Sequence, residues 1–155
     1  MKALRVLSPN NINLLDAEEL IDQPNSTIIN PTTVGICGTD LAIISGSIDP
    51  AFIKYPITIG HEWVGKLANG QRVVAEGIIP CDLCDQCKTG NTNRCSIDNE
   101  IGFTQDGAIA EEIRVPDFLL HKINNNVSDE SALLVEPASV VTQGLLKVNP
   151  RSNLK

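Results

Sequence analysis

The amino-acid sequence predicts a mainly β domain with short helices at its edges, and three observations carry that expectation. Short stretches of alternating apolar and polar residues recur along the chain, divided by polar and Pro-containing turns. Asn69-Gly70 lies between two such stretches and marks a tight antiparallel hairpin. Helical patterns are confined to a few brief segments, and no internal repeat or low-complexity tract is visible. At 155 residues the chain has room for one domain with a proper core, so residues 1–155 are read as a single unit. Only 3% of residues are aromatic against 42% hydrophobic, so that core must be mostly aliphatic.

Residues 2–7 alternate as a strand, and Asn13-Leu14-Leu15 and Ile28-Ile29-Asn30 each suit another. Residues 16–20 form either a helical turn or a strand-edge loop. Residues 33–37 read as a strand that delivers Cys37 to its end, and 39–44 can then wind into a short helix. Residues 64–68 and 71–75 flank Asn69-Gly70, where a type I′ turn needs two residues that tolerate positive φ. The segment 81–95 is polar, rich in cysteine and poor in anything that could form a core. Residues 107–116 and 118–123 read as strands, and Asn124-Asn125-Asn126 turns the chain. Ser128-Asp129-Glu130-Ser131 offers N-capping residues for a helix through Leu134, and a second helix begins near Pro137 and runs to Lys147.

A net charge of −7 opposes a phosphate-binding surface, which needs clustered Lys and Arg to displace counterions. The 12 basic residues are scattered singly, so neither nucleic acid nor an anionic membrane is an expected partner. The opening residues are interrupted by Ser8-Pro9-Asn10 before they reach the apolar run of a signal peptide, and no apolar stretch approaches a membrane-spanning length. Five cysteines, an odd number with no export signal, point to a reducing compartment and to metal rather than disulfides. The expected location is the cytoplasm.

Two clusters carry the chemistry. Cys37, His61 and Glu62 supply a thiolate, an imidazole and a carboxylate, the donor types that zinc accepts in an open, catalytic site. Thr39 adds a hydroxyl close by, and Asp40 is the candidate acceptor for the second ring N–H of His61, which would fix its tautomer. A lone Cys is commonly a small buried hydrophobe, and a lone His-Glu pair is commonly surface or satisfied core. Their company with a second cysteine cluster favours metal. That cluster, Cys81, Cys84, Cys87 and Cys95, follows C-x2-C-x2-C-x7-C and can wrap one tetrahedral ion. Four thiolates leave no open position, so a zinc there is structural and holds a loop lacking its own core. An iron-sulfur cluster is the rival, but in bacterial ferredoxins the fourth cysteine comes sooner and is trailed by Pro, whereas Ser96 follows Cys95 here.

Together, Gly35-Ile36-Cys37-Gly38-Thr39-Asp40, Gly60-His61-Glu62, the four-cysteine lobe at about 80–96, Asp106-Gly107-Ala108-Ile109-Ala110-Glu111 and Val135-Glu136-Pro137-Ala138-Ser139-Val140 resemble the zinc-dependent medium-chain alcohol and polyol dehydrogenases. The resemblance is to their GroES-like catalytic domain, a partly open β-barrel with a protruding zinc lobe, and most like the sorbitol, threonine and glucose dehydrogenase branch. It implies two zinc ions per chain, one catalytic and one structural. It implies Cys37 and His61 as catalytic zinc ligands, with Glu62 and Glu136 both candidates for the third and the choice between them open. It implies Thr39 as the residue that passes a proton outward, and Glu100 as a candidate for contact with substrate hydroxyls. The expected substrate is a small alcohol, polyol or sugar. Zinc would favour loss of the alcohol proton, and the resulting alkoxide would release hydride to NAD or NADP. His121 is read as structural.

The sequence departs from this family where a Rossmann domain would follow. No pair of the 11 glycines has the spacing that begins G-x-G-x-x-G, and residues 148–155 are read as the start of a connection to an absent nucleotide-binding domain. The expectation is a chain cut at a domain boundary, without turnover on its own and with an exposed apolar cleft face prone to self-association. A homo-oligomer is expected for the full-length form. Two other readings stand beside this one: a freestanding zinc-stabilised interaction module using only the cysteine lobe, and a zinc hydrolase using Cys37, His61 and a glutamate around an activated water.

Overall fold

The computed structural model of the chain describes residues 1–97 and 99–148. A first sheet places β1 (Lys2–Ser8) between β2 (Asn11–Asp16) and β4 (Ile57–Thr58). A second orders β7 (Ile113–Pro116), β3 (Ser26–Val34), β5 (Trp63–Lys66), β6 (Arg72–Ala75) and β8 (Leu120–Lys122) across five strands. All named pairings are antiparallel. The helices are α1 (Gly38–Ser45), α2 (Asp85–Lys88), α3 (Asp129–Leu133) and α4 (Val135–Val148). Residues 149–155, which contain most of the expected connection, lie outside the described residues.

The backbone before β7 stitches the two sheets together. Gly107, Ala108 and Ile109 donate their N–H groups to the carbonyls of Thr58, Gly60 and Ile59, and Leu4 N–H donates to Ile109 O at 2.8 Å. This segment therefore bonds to both walls through isolated bridges and turns, where a strand over 107–116 was expected; only Ile113–Pro116 forms a ladder, on β3. The expected strand 118–123 also contracts, because Asp117–Leu119 makes a 3-10 turn before β8. Residues 17–20 are loop, β3 stops at Val34 short of Cys37, and α4 starts at Val135, earlier than expected.

The β5–β6 hairpin forms, but with a different turn. Gly70 alone takes a left-handed conformation, at φ +82°, and Asn69 is not among the residues with positive φ. Gly70 N–H donates to Leu67 O at 2.8 Å and Leu67 N–H to Gln71 O at 3.0 Å, closing a three-residue loop in place of the type I′ turn. Asn69 Oδ1 accepts Gln71 N–H at 2.9 Å, a local bond that favours this conformer.

Strand alternation buries β5 and β6 on both faces. Trp63 and Val73 join Ile29, Ile101, Ala108, Ile113, Val115 and Leu119 on one side, while Val64 and Val74 meet Ile123 and Ala132 on the other. A third cluster of Val6, Ile43, Ile53, Ile57 and Ile59 lies under α1. An isolated helix of α1's length would be marginal in water. Full burial of Ile43, which contributes roughly 1.5–3 kcal/mol, is what fastens α1 to the first sheet. α3 is fixed at its start by the Ser128 cap and by Arg72, which pairs with Asp129 and donates to Val127 O.

Two regions contribute nothing to these clusters. None of the described residues from 80 to 97 is buried, and α4 has no buried side chain. Leu134, Val135, Val140, Val141, Leu145 and Leu146 are all exposed.

Candidate metal centre

Cys37 is the N-cap of α1, a position where a side chain meets the unpaired amides of the first helical turn. Its Sγ accepts Thr39 N–H at 3.2 Å, and its own N–H donates to Asp40 Oδ2 at 2.9 Å, completing a reciprocal capping box. Asp40 is fully buried, and its other oxygen, Oδ1, accepts Gly60 N–H at 3.0 Å. One carboxylate thus joins the segment bearing Cys37 to the residue just before His61.

Gly60 must be a glycine for this to work. It sits at φ +99°, and a Cβ there would come within 2.8 Å of both Val34 Cγ1 and Ile109 Cγ1. The side chains of Val34 and Ile109 thus pack tightly against the backbone just before His61.

His61 is buried, and its Nε2 lies 3.2 Å from Cys37 Sγ. The expected hydrogen bond from His61 Nδ1 to Asp40 is not made. Nδ1 lies 3.8 Å from Oδ1, beyond hydrogen-bond reach, and has no partner among the described residues. Asp40 is held instead by the amides of Cys37 and Gly60, one on each oxygen, and this placement leaves its carboxylate short of the imidazole.

Cys37, His61 and Glu62 each present one donor atom, and the three atoms lie within 4.8 Å of one another. Glu136, in the first turn of α4, is not part of that group. It is nevertheless near: burial pushes its carboxyl up, the charge of His61 draws it down, and Glu62 pushes it up again. Thr39 is exposed in the first turn of α1. Glu100 belongs to a tight turn whose amides at Phe103, Thr104 and Gln105 donate to its carbonyl, and it is outside the donor group. His121 pairs with Glu76 at 3.0 Å on the exposed side of β8.

The four lobe sulfurs also gather within 4.8 Å of one another, and all five cysteines of the chain are free. Backbone amides point at them: Cys84 N–H at Cys81, Cys87 N–H at Cys84, and Cys81 and Ile97 N–H at Cys95. Amides of Ser96 and Cys87 hold the Cys84 thiol down at about 5. Burial among its neighbours, reinforced by the bond to Cys84, pushes Cys87 up to about 12. Four sulfurs so close cannot all ionise without a cation between them.

Both groups fit zinc by donor chemistry, the lobe as a closed four-sulfur set and the Cys37 group as three mixed donors with room for a fourth. Sequence reasoning named every residue of both groups. It missed Gly60 and Gly35 as the backbone positions that bring the donors together, because close approach is written in no spacing.

The model of the alcohol dehydrogenase GroES-like domain family matches residues 23–125. L-threonine 3-dehydrogenase of Shewanella woodyi is 34% identical over 149 residues, covering 88% of this chain and 44% of the relative. The crystal structure of an Escherichia coli CFT073 protein described as a short chain alcohol dehydrogenase, complexed with NADH, superposes with a TM-score of 0.89 at 27% identity, over 97% of this chain and 46% of that one. A protein of Sinorhizobium meliloti 1021 described as a zinc-binding dehydrogenase, bound to NADP, gives a TM-score of 0.84 at 28% identity, over 93% of this chain and 44% of that one. The chain spans less than half the length of the relatives it matches. The expected mainly β fold, a curled and partly open barrel with few short helices, is the one these structures share. With the family model covering most of the chain, this protein belongs to the alcohol dehydrogenase GroES-like domain family.

Proposed function

We propose that this chain is the zinc- and substrate-binding part of an NAD(P)-linked dehydrogenase that oxidises a secondary alcohol, with polyols and sugars as the substrate class. The observation that carries the reading is the convergence of Cys37, His61 and Glu62 within 4.8 Å, apart from a second, all-cysteine group. The name of the threonine relative, a 3-dehydrogenase, points to oxidation at a carbon within a chain, and the two structural relatives hold NADH and NADP.

In this reading Cys37, His61 and Glu62 hold the catalytic zinc, and Glu136 is the second carboxylate within electrostatic reach. Cys81, Cys84, Cys87 and Cys95 hold a structural zinc, giving two ions per chain. A bound catalytic zinc would act as a Lewis acid on the substrate oxygen. Thr39, exposed beside Cys37, takes the hydroxyl proton and passes it to solvent. With Cys37 and one glutamate ionised, the donor charges balance a divalent ion, which suits a neutral alcohol. Glu100 is retained as a candidate contact for further hydroxyls.

The nucleotide is assigned to a Rossmann domain corresponding to the part of the relatives that this chain does not span. Residues 1–155 are then the catalytic domain, with the lobe at about 80–96 and the connection from 148. Among the described residues no helix is long and apolar enough to cross a membrane. A cytoplasmic setting would keep the five cysteines reduced, and the exposed apolar face of α4 supports a partner domain and a homo-oligomer in the full-length form.

Zinc per chain, counted by native mass spectrometry on the wild type and on Cys37→Ala, tests the site; two ions falling to one is the expected result. Joining the chain to a nucleotide domain should then restore alcohol-dependent reduction of NAD or NADP. One zinc in both proteins would favour an interaction module stabilised by the lobe. Ester hydrolysis without any nucleotide would favour a hydrolase.

A further inference from the structure

Gly35 lies just beyond β3, and its N–H donates to Glu62 O at 2.8 Å, continuing the pairing of Val34 with Trp63. A Cβ built on Gly35 would stand 2.8 Å from Glu62 Oε2, 3.3 Å from Glu62 Cβ and 3.5 Å from Leu133 Cδ2. Its φ lies outside the left-handed region, so no positive-φ strain attaches to a side chain there. What a side chain could not share is the space, and the carboxylate of Glu62 occupies that space.

We propose that Gly35 is a positioning residue for the metal centre: its missing side chain leaves the volume into which Glu62 folds its carboxylate, and so sets whether Glu62 joins Cys37 and His61. The inference rests on the reading of those three residues as a zinc site. The backbones of Gly35 and Glu62 are tied by their hydrogen bond and by the adjoining β3–β5 ladder, so the sheet resists a shift. Contact with Leu133 at 3.5 Å is ordinary van der Waals distance and forces nothing, while Glu62 Cβ at 3.3 Å needs to give by only a few tenths of an ångström, far less than the carboxylate at 2.8 Å. The carboxylate is the far end of a flexible side chain, and it is the group that moves. Swinging away from a Cβ at Gly35, it leaves two donors where there were three, while the Cys37–His61 approach of 3.2 Å and the Asp40 bonds stay as they are.

Gly38 provides the control within the same motif. A Cβ there meets nothing within 4 Å, and its φ is also outside the left-handed region. Gly38→Ala therefore alters the motif's sequence without touching Glu62.

The experiment is a cadmium titration of the intact chain, followed by 113Cd NMR and calorimetry, on the wild type, Gly35→Ala, Gly38→Ala, Glu62→Gln and the double variant Gly35→Ala/Glu62→Gln. Fluorescence of Trp63, buried on β5, reports that the sheet of each protein is folded. Gly35→Ala is expected to weaken the second ion about tenfold or more, as loss of a supporting group around a metal commonly does. It should also move that ion's resonance toward the position seen in Glu62→Gln, with Gly38→Ala unchanged. The double variant should bind no more weakly than Glu62→Gln alone, because Gly35 acts through Glu62. A general packing defect would instead add to the effect of Glu62→Gln, and additivity would overturn the proposal. So would second-ion affinity and resonance in Gly35→Ala equal to the wild type, or a Gly35→Ala protein that loses the fluorescence of buried Trp63, since the sheet and not Glu62 would then have yielded. A wild type that binds only one ion sinks the zinc-site reading itself, an outcome distinct from these.

Discussion

The cysteine lobe and the Cys37 centre offer similar donors to a metal but are built in opposite ways. In the lobe, four sulfurs come from one short stretch with no buried residue, and their neighbours Leu83 and Ile97 are exposed. The stretch can close around an ion, and without one it has little besides local amide bonds to keep its shape. At the other centre, donors from two distant segments are brought to 3.2 Å by packed sheets, a buried carboxylate and glycines that admit close approach. The first is a site that folds a loop; the second is a site that a fold makes. Metal removal should therefore separate them.

The largest effect is expected from stripping all metal. Structural zinc contributes apparent binding energies of about 10–16 kcal/mol in small zinc-dependent folds. Hydrogen exchange should show residues 80–97 losing protection while Ile29, Trp63, Val64 and Val73 keep theirs. Equal loss in both regions would break the comparison. Reloading should release protons, because Cys87, pushed up to about 12, holds its proton at neutral pH, whereas Cys84 at about 5 has already lost its own. Lobe affinity should accordingly fall as pH falls.

Asp40→Ala should be the most damaging single change at the sheet-built centre. It leaves the buried amide of Gly60 and that of Cys37 without their acceptor, at about 1–3 kcal/mol for each unsatisfied group. Chemical denaturation would register that loss, and second-ion affinity should drop with it. If stability is unchanged, Asp40 does not join the two segments as described.

Cys37→Ala comes next. It removes a side-chain cap, worth about 1 kcal/mol by analogy with other caps, and one donor. The second ion should be lost while the thermal midpoint falls only slightly. A collapse of the fold would mean that this centre, like the lobe, depends on its metal.

The smallest effect concerns Glu136 in the metal-free protein. Its carboxyl is raised in the folded state, chiefly by burial, so the folded chain binds its proton more tightly than the unfolded chain does. Stability from this group is present below the ordinary carboxylate range and is lost as pH rises through the raised folded value. Glu136→Gln should flatten that part of the stability curve and leave the lobe's ion uptake unaltered.

Much of the lobe was legible in the sequence, because four cysteines so closely spaced can meet through local bending alone. The Ser128 cap and the aliphatic alternation of β5 and β6 were legible for the same reason, each being decided within a few residues. The Cys37 centre was legible only as a set of donor types. Which glutamate joins the group, and what Asp40 does with its two oxygens, depended on segments that meet only after packing. The hairpin marks the boundary: Asn69-Gly70 determined that a turn forms, and the Asn69 side-chain bond to Gln71 selected its kind.

What the sequence determined by itself was therefore the family of donors, the lobe and the mainly β character. Tertiary structure alone decided that Glu62 and not Glu136 stands within 4.8 Å of Cys37 and His61, and that Asp40 grips backbone amides instead of the imidazole. The reason is one of range. A spacing fixes what a chain can reach by itself, whereas the last few ångströms between distant segments are set by the space their neighbours leave, as Gly35 leaves it for Glu62.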